Sequence, residues 1–182
     1  LKKNTQAIKI LKKRKKIIKV QGKRYLNSLS LNIGGDPSSA AFFTALTLLN
    51  SHSTLKIKNV GLNHTRTGFY EILKKQKAKI KFANLKKENN EIKGDIHIKS
   101  CKLTSIKTNS DWYPKTADEF PILFVIASLI RGTSVFKGIQ DLANKESDRI
   151  KEMQKVIKQI GVNSSYSKGV LKIFGKGMVY AK

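Results

Sequence analysis

The strongest constraint on the fold of this chain is a pattern of helices and strands that occurs twice. A segment that is apolar on nearly every side, predicted as a buried helix, spans residues 38–49, and a second spans residues 122–130. A short strand follows each of them, and matching Leu55 in the first strand to Val135 in the second gives an interval of 80 residues. Such self-similarity indicates a supersecondary unit present in two copies.

Each copy continues with an amphipathic helix and two further strands. Residues 67–77 and 147–159 both place apolar side chains on one helical face, the first through Phe69, Ile72 and Leu73 and the second through Ile150, Met153, Ile157 and Ile160. Strands are predicted near residues 80–82, 96–98, 162–165 and 171–174. Helices that alternate with short strands predict layers of the α/β (α+β) class, with one unit over residues 34–100 and the other over 101–182.

The first 33 residues precede the repeat. A helix-like stretch leads into a short strand at residues 17–20, and residues 29–33 alternate in polarity as a half-buried strand does. Asp36 then has the character of a helix N-cap, and Pro37 suits the first helical position.

A formal net charge of +25 raises the possibility of a basic nucleic-acid-binding module. Only five of the 37 basic residues are arginine, however, and proteins that recognise bases favour arginine for its two-pronged contacts. The lysines are spread along the whole chain, which biased base composition of the gene would also produce. The basic run at residues 12–16 is open to interpretation as a phosphate-binding patch, although a solvated face is the simpler interpretation.

Other features of the sequence bear on where the protein is located and on whether the chain is complete. The longest apolar runs are too short for a membrane span, and no signal peptide is recognisable. A single cysteine, Cys101, excludes an internal disulfide framework and predicts a cytoplasmic location. The chain starts at Leu1 without an initiator methionine and stops just after a strand-like stretch, so we expect it to be part of a longer protein.

The run from Lys145 to Arg149 is the strongest candidate for a binding site. If it opens the second amphipathic helix, Lys145 and Arg149 lie four residues apart and share a face, with Glu146 beside them. Cations at a helix start oppose the macrodipole, and binding a multiply anionic ligand would justify that cost. Asp118, before the second apolar helix, is a candidate general base. Spacing alone equally allows Asp118 to be a helix cap and residues 145–149 to be a solvated helix start.

Four motifs in order resemble the EPSP synthase (3-phosphoshikimate 1-carboxyvinyltransferase) family. They are Gly-Asp-Pro-Ser-Ser-Ala-Ala-Phe-Phe at 35–43, Asn-His-Thr-Arg-Thr-Gly at 63–68, Asp-Glu-Phe-Pro-Ile-Leu at 118–123 and Lys-Glu-Ser-Asp-Arg at 145–149. Each motif alone is weak, but four in the family's order are a strong indication, and the resemblance covers essentially the whole chain. The resemblance implies two domains, each with three β-α-β-α-β-β units, and substrates bound in the cleft between them. Residues 1–33 would be the end of the N-terminal domain and the crossover, and residues 34–182 two of the three C-terminal units.

The resemblance also implies the reaction, which transfers the enolpyruvyl group of phosphoenolpyruvate to the 5-hydroxyl of shikimate 3-phosphate and releases phosphate. Asp118 and Glu146 would be the catalytic carboxyl groups, and which proton each of them handles stays open. Asp118 and Lys145 would bind shikimate 3-phosphate, and Arg149 would hold the carboxylate of phosphoenolpyruvate. The family needs no metal or organic cofactor, binds neither nucleic acid nor membrane, and would be a monomer at full length. The chain by itself is expected to be inactive, because substrate-binding residues of the other domain are missing.

Several positions depart from the family's pattern. His64 stands where the family usually has proline and is interpreted as a loop residue, and Lys77 replaces a glycine that usually ends the helix. Asp141 falls where some members use asparagine to touch substrate, and that role is not transferred; Arg66 is expected to be structural. A UDP-N-acetylglucosamine enolpyruvyl transferase, which shares the repeat, remains an alternative that the run at 145–149 disfavours.

Overall fold

The computed structural model describes residues 8–11, 17–20, 28 and 30–177. At the N-terminal end, β1 (Ile8–Leu11) and β2 (Ile17–Val20) pair in an antiparallel ribbon. The strand predicted at residues 17–20 is therefore confirmed, whereas the helix-like stretch predicted before it is wrong at residues 8–11. A local pattern cannot reveal that a partner strand six residues farther on completes the backbone hydrogen bonds. The basic run at residues 12–16 lies outside the described residues.

From the apolar helix onwards the two predicted copies of the repeat have the same order of elements, and the second copy has an additional short strand before that helix. The first copy contains α1 (Pro37–Leu49), β3 (Thr54–Gly61), α2 (Gly68–Lys75), β4 (Lys79–Glu88) and β5 (Glu91–Lys99). The second contains β6 (Lys107–Thr108), α3 (Phe120–Leu129), β7 (Arg131–Lys137), α4 (Arg149–Gln159), β8 (Asn163–Ser167) and β9 (Val170–Lys176).

The sheets confirm the likeness of the two copies. The first sheet has the strand order β3-β5-β4 and the second β6-β7-β9-β8, so β7, β9 and β8 repeat the arrangement of β3, β5 and β4. All of these pairs are antiparallel except β6 with β7, which pair in parallel. The helix α3 connects these two strands in the sequence. The second copy is thus a complete β-α-β-α-β-β unit, and the predicted α/β class is correct.

The strand predicted at residues 29–33 is wrong for residues 30–33, which have no regular structure. Only Gly35 forms a bridge, parallel to Val60, with its N–H donating to the Asn59 carbonyl at 2.7 Å and its carbonyl accepting from Gly61 at 2.8 Å. The apolar side chains that gave the alternating pattern stay exposed, Ile33 to 82%. Alternating polarity specifies a strand only where a sheet covers its apolar face, and in the described residues none covers this one.

The helices α1 and α3 carry the core between the sheets. The Asp36 carboxylate accepts from the Ser39 N–H at 2.8 Å and Pro37 is the first helical residue, so both predictions for this helix start are confirmed. The core of the second copy centres on Phe120, Phe124 and Phe136, whose rings meet mostly edge to face. The helix α1 is less buried than predicted, because within the described part of the chain Phe42, Phe43 and Leu46 remain exposed.

The amphipathic helices pack their apolar faces against the core. In α2 the predicted residues Phe69, Ile72 and Leu73 are all buried. In α4 the residues Ile150 and Ile157 are buried, but Ile160 has become the C-cap and is exposed. The helix α4 starts at Arg149, two residues later than predicted, and this shift determines the geometry of the candidate site.

Candidate functional site

All four helices begin at one end of the described structure. The Ser38 hydroxyl in the first turn of α1 donates to the Glu119 carboxylate at the start of α3. The Arg66 guanidinium, two residues before α2, reaches Asp36 at the start of α1 at 3.3 Å. The Arg149 guanidinium, on the first residue of α4, reaches Asp118 just before α3 at 3.5 Å. Free N–H groups and positive dipole ends are therefore concentrated at this end.

Arg149 lies between the two candidate catalytic carboxylates. Its Nη1 is 3.5 Å from Asp118 Oδ1, and its Nη2 donates to Glu146 Oε2 at 3.2 Å. The Arg149 side chain is only 28% exposed, whereas those of Asp118 and Glu146 are 59% and 85% exposed. A half-buried guanidinium thus brings together two carboxylates that remain open to an incoming ligand.

The local structure around residues 145–149 differs from the sequence prediction. A 3₁₀ helix at Gln140–Asn144 ends in Lys145, whose backbone is extended, and Asp148 is the N-cap of α4. The Asp148 carboxylate accepts from the N–H groups of Ile150 and Lys151 at 3.1 and 3.0 Å. Lys145 and Arg149 consequently do not share a helical face, because the N-cap at Asp148 starts the helix at Arg149 and leaves Lys145 outside it. Lys145 is exposed and takes part in none of the ion pairs found among residues 30–177.

Glu146 is held as a carboxylate in this arrangement. A hydrogen bond from its own backbone lowers the pKa of the Glu146 carboxyl, and the hydrogen bond and charge of Arg149 and the charge of Lys145 act in the same direction. A carboxyl group with a lowered pKa is ionised at neutral pH and has no proton to donate. Chemistry that requires Glu146 as an acid therefore requires a bound group that occupies the neighbouring cations.

Asp118 is not the cap of α3. It lies in the turn before the helix, and Glu119 occupies the N-cap position without using its side chain to cap the helix. The Glu119 residue is 4% exposed, and burial raises the pKa of its carboxyl, with the Ser38 hydrogen bond and the Arg66 charge opposing that effect. Sequence reasoning passed over Glu119. The signal that could have revealed it is its place in the repeat, since it holds in α3 the N-cap position that Asp36 holds in α1.

Tyr113 is a second neighbour that the sequence did not single out. Its ring stacks on Phe120 with centroids 6.0 Å apart. Burial raises the pKa of the Tyr113 hydroxyl, the charges of Asp141 and Asp118 raise it further, and the charge of Arg149 lowers it. Tyr113 is therefore close enough to Asp118, Asp141 and Arg149 for their charges to act on its hydroxyl.

Arg66 has the structural surroundings that the sequence predicted for it. Its Nη2 donates to Ser38 Oγ at 3.0 Å and to Asp36 Oδ1 at 3.3 Å, so it ties the start of α2 to the start of α1. His64 lies in the turn before it, as a loop residue should. A cavity of about 440 Å³ adjoins Arg66 and Asp36.

A larger groove lies at the other end of the helices. It measures about 1090 Å³ and runs between the C-terminal ends of α1 and α3, lined by Leu48, Leu49, Leu129 and Ile130 among others. None of the four predicted site residues lines it, so its size alone does not connect it with the chemistry proposed for Asp118 and Glu146.

The described residues also bear on metal and membrane binding. Among residues 30–177 no group of three or more His, Cys, Asp or Glu side chains is arranged to hold a metal ion. The helices in the same part of the chain are all too short or too polar to cross a membrane.

Comparison with known proteins gives a consistent result. Residues 4–178 match the family model for EPSP synthase (3-phosphoshikimate 1-carboxyvinyltransferase). A 3-phosphoshikimate 1-carboxyvinyltransferase of Thermodesulfovibrio yellowstonii is 46% identical over 75% of this chain and 32% of its own length. One of Novosphingobium aromaticivorans is 36% identical over 89% of this chain and 37% of its own length. A solved structure of EPSP synthase from Acinetobacter baumannii superposes with a TM-score of 0.81 at 35% identity, covering 93% of this chain and 38% of that one.

Proposed function

The chain belongs to the EPSP synthase (3-phosphoshikimate 1-carboxyvinyltransferase) family, and we propose that the complete protein transfers an enolpyruvyl group from phosphoenolpyruvate to the 5-hydroxyl of shikimate 3-phosphate. The chain spans about a third of the length of the curated relatives it matches, so the activity is ascribed to the complete protein. The observation that carries the proposal is Arg149, which lies 3.5 Å from Asp118 and 3.2 Å from Glu146 at the end where the helices begin.

The proposed reaction needs two carboxyl groups with different tasks. The oxygen of the accepting hydroxyl forms a bond to C2 of phosphoenolpyruvate, losing its proton to Asp118 while Glu146 protonates the methylene carbon. The tetrahedral intermediate then loses phosphate, which carries away the proton that Asp118 accepted, and Glu146 takes back a proton from the new methyl group, which restores the carbon–carbon double bond. A pair of carboxyl groups on either side of one cation supports this division of roles.

Arg149 is proposed to bind the carboxylate of phosphoenolpyruvate, because a guanidinium presents two parallel N–H donors to a planar carboxylate. In this structure one of its nitrogens donates a hydrogen bond to Glu146. An incoming carboxylate would compete for that donor and release Glu146. The influences that lower the pKa of Glu146 would then weaken, and Glu146 would be protonated more readily and so could donate a proton when substrate is bound.

Lys145 completes the proposed substrate contacts. It is exposed, next to Glu146 and outside the helix, so its flexible ammonium group is free to reach a ligand between the carboxylates. We assign it to shikimate 3-phosphate, together with Asp118. No metal or organic cofactor takes part in the proposed reaction.

The remaining proposals concern the complete protein. Residues 1–33 would end one domain and cross over to the next, and residues 34–182 would supply two of three repeat units, 34–100 and 101–182, to a second domain. This chain alone would be inactive, since the other wall of the substrate cleft would come from the first domain. The complete protein would be a cytoplasmic monomer.

Substitution of Arg149 by lysine in the complete protein tests the function. Lysine keeps the charge but loses the paired donors, and we expect KM for phosphoenolpyruvate to rise about tenfold or more, because a hydrogen bond to a charged group contributes about 1.5–3 kcal/mol. Formation of EPSP and phosphate is followed with both substrates. Arg131→Lys, at an exposed position at the start of β7 beside the larger groove, is the matched control and should leave KM unchanged.

Three results would contradict the proposal. They are a complete protein that forms no EPSP, one that accepts UDP-N-acetylglucosamine in place of shikimate 3-phosphate, and one that binds duplex DNA in a strongly salt-dependent way without responding to shikimate 3-phosphate.

A further inference from the structure

Glu119 is a buried carboxylate whose partner comes from the other copy of the repeat. Its residue is 4% exposed, and the Ser38 hydroxyl on α1 donates to its Oε1. A buried carboxylate needs such a partner because burial strongly disfavours its charged form. The hydrogen bond joins residues 81 apart in sequence, so it links the first turn of α1 to the start of α3.

Ser38 is itself held in place by a cation. Arg66 Nη2 donates to Ser38 Oγ at 3.0 Å and also to Asp36 Oδ1 at 3.3 Å. The serine oxygen thus accepts from Arg66 while its hydroxyl proton points to Glu119. The four side chains form one continuous chain of hydrogen bonds from the first copy into the second.

Backbone hydrogen bonds of Glu119 connect its fixed side chain to the turn that contains Asp118. The Glu119 N–H donates to the Thr116 carbonyl at 3.0 Å and closes the turn that contains Asp118. The Glu119 carbonyl accepts from Leu123 at 3.0 Å and starts α3. Asp118, by contrast, is 59% exposed and its side chain meets only Arg149, at 3.5 Å, among the ion pairs of residues 30–177.

We propose that Glu119 is a positioning residue for Asp118, and that Ser38 of the first repeat unit sets the place of the proton acceptor in the second. The inference rests on the proposed function, since it assumes that Asp118 acts on the substrate hydroxyl. Glu119 touches no substrate in this scheme.

The effects on the pKa of Glu119 come from the same residues that contact or adjoin it. Burial raises the pKa of Glu119, the Ser38 hydrogen bond and the Arg66 charge lower it, and the neighbouring Asp118 charge raises it. Removing the Ser38 hydroxyl would leave a buried carboxylate beside a like charge. Glu119 would then either take up a proton or turn toward water, and in both cases the turn carrying Asp118 would change.

A double-mutant cycle on kcat in the complete protein tests the inference, with Glu119→Ala and Asp118→Ala made singly and together. If Glu119 acts through Asp118, Glu119→Ala lowers kcat about tenfold in the wild-type background and less than twofold in the Asp118→Ala background. Glu119→Gln should retain most of the activity, because its amide oxygen still accepts from Ser38. Equal losses in both backgrounds would overturn the inference.

Further variants keep the test decisive. If Glu119→Ala does not fold, the double-mutant cycle is repeated with Ser38→Ala, which removes only a hydroxyl group. If turnover of Asp118→Ala is too slow to measure, the dissociation constant for shikimate 3-phosphate is measured in place of kcat. Glu71→Ala is the matched control, because Glu71 accepts from the Thr67 hydroxyl at 2.8 Å within a single copy and should change kcat little in either background. A wild-type protein without transferase activity refutes the proposed function, whereas an active protein with equal losses in both backgrounds refutes this inference alone.

Discussion

At the scale of single residues, Arg149 organises the candidate site. Its two terminal nitrogens reach Asp118 and Glu146, which are 28 residues apart in sequence, and its side chain is shielded more than either carboxylate. Such an arrangement stabilises two negative charges close together until a ligand competes for the cation. The candidate acid and base are therefore held near each other by one side chain.

Glu146→Gln in the complete protein should lower kcat by about 10²–10⁴-fold, the usual contribution of general acid–base catalysis. KM for phosphoenolpyruvate should change only a few-fold, because Arg149 keeps its donors. Steady-state kinetics with both substrates measure the two constants. Glu152→Gln, an exposed carboxylate paired with Lys155 on α4, is the control. A raised KM with unchanged kcat would show that Glu146 binds substrate rather than moving a proton.

At the scale of helices and strands, the two copies end their amphipathic helices at a residue with left-handed backbone geometry, but the residue type differs between the copies. After α2 the chain turns through Lys77, with φ of 64°, and after α4 it turns through Gly161, with φ of 75°. In each case the next N–H returns to the last turn of the helix, Ala78 to Leu73 and Val162 to Ile157. A left-handed residue at this position ends a helix, and glycine adopts it without steric strain.

Lys77→Gly should raise the free energy of unfolding by about 0.5–1 kcal/mol, because the relief of left-handed strain exceeds the extra chain entropy of glycine. Lys77 is exposed, so no packing is lost. Gly161→Lys is the reciprocal variant and should lose a similar amount. Chemical denaturation of the complete protein measures the free energy of unfolding of the wild type and of the two variants. A destabilised Lys77→Gly protein would mean that the lysine side chain contributes contacts that outweigh its backbone strain.

In the first sheet, Asp95 of β5 forms hydrogen bonds to both neighbouring strands at the points where their pairing register shifts. Its carboxylate accepts from Asn84 Nδ2 on β4 at 2.8 Å and from the Asn59 N–H on β3 at 3.1 Å, and Lys56 lies at 3.1 Å. Both asparagines have φ of 51° where the strand register shifts. These bonds, that of Asn84 foremost, lower the pKa of Asp95 to about 2.

Asp95→Asn should therefore destabilise the protein at neutral pH and progressively less in acid. A carboxyl with a depressed folded-state pKa stabilises the fold above its ordinary pKa, and that contribution is lost as pH falls toward about 2. The difference in free energy of unfolding between wild type and variant should shrink from pH 6 to pH 3. A difference that does not vary with pH would mean that the carboxylate charge plays no part in bracing the bulges.

At the scale of the whole molecule, the two copies meet closely where the candidate site lies. The start of α2 packs on the segment that leads to Asp118, so closely that a Cβ on Gly68 would lie 2.6 Å from the Lys115 carbonyl oxygen and collide with the Thr116 side chain. Together with the Ser38–Glu119 hydrogen bond, this contact sets how the second copy presents Asp118.

Gly68→Ala should destabilise the complete protein by about 1–3 kcal/mol, because the methyl group overpacks a contact that includes backbone. It should also lower kcat, since the segment before Asp118 has to shift. Denaturation and steady-state kinetics measure the two effects. Gly35→Ala is the control, because a Cβ there meets its nearest neighbour at an ordinary 3.5 Å. A Gly68→Ala protein with wild-type stability would contradict the close packing.

The sequence by itself determined the repeat, its helices and most of its strands, and the start of α1 at Asp36 and Pro37, because these depend on local periodicity and capping. It also singled out Asp118, Lys145, Glu146 and Arg149 through their motifs, although their catalytic and binding roles remain proposals. Only the tertiary structure decided that residues 30–33 form no strand and that Arg149, on the first residue of its helix, reaches Asp118 and Glu146. The same is true of Glu119, whose partner lies 81 residues away, since contacts between distant segments follow from how the two copies pack and leave no periodic trace in the sequence.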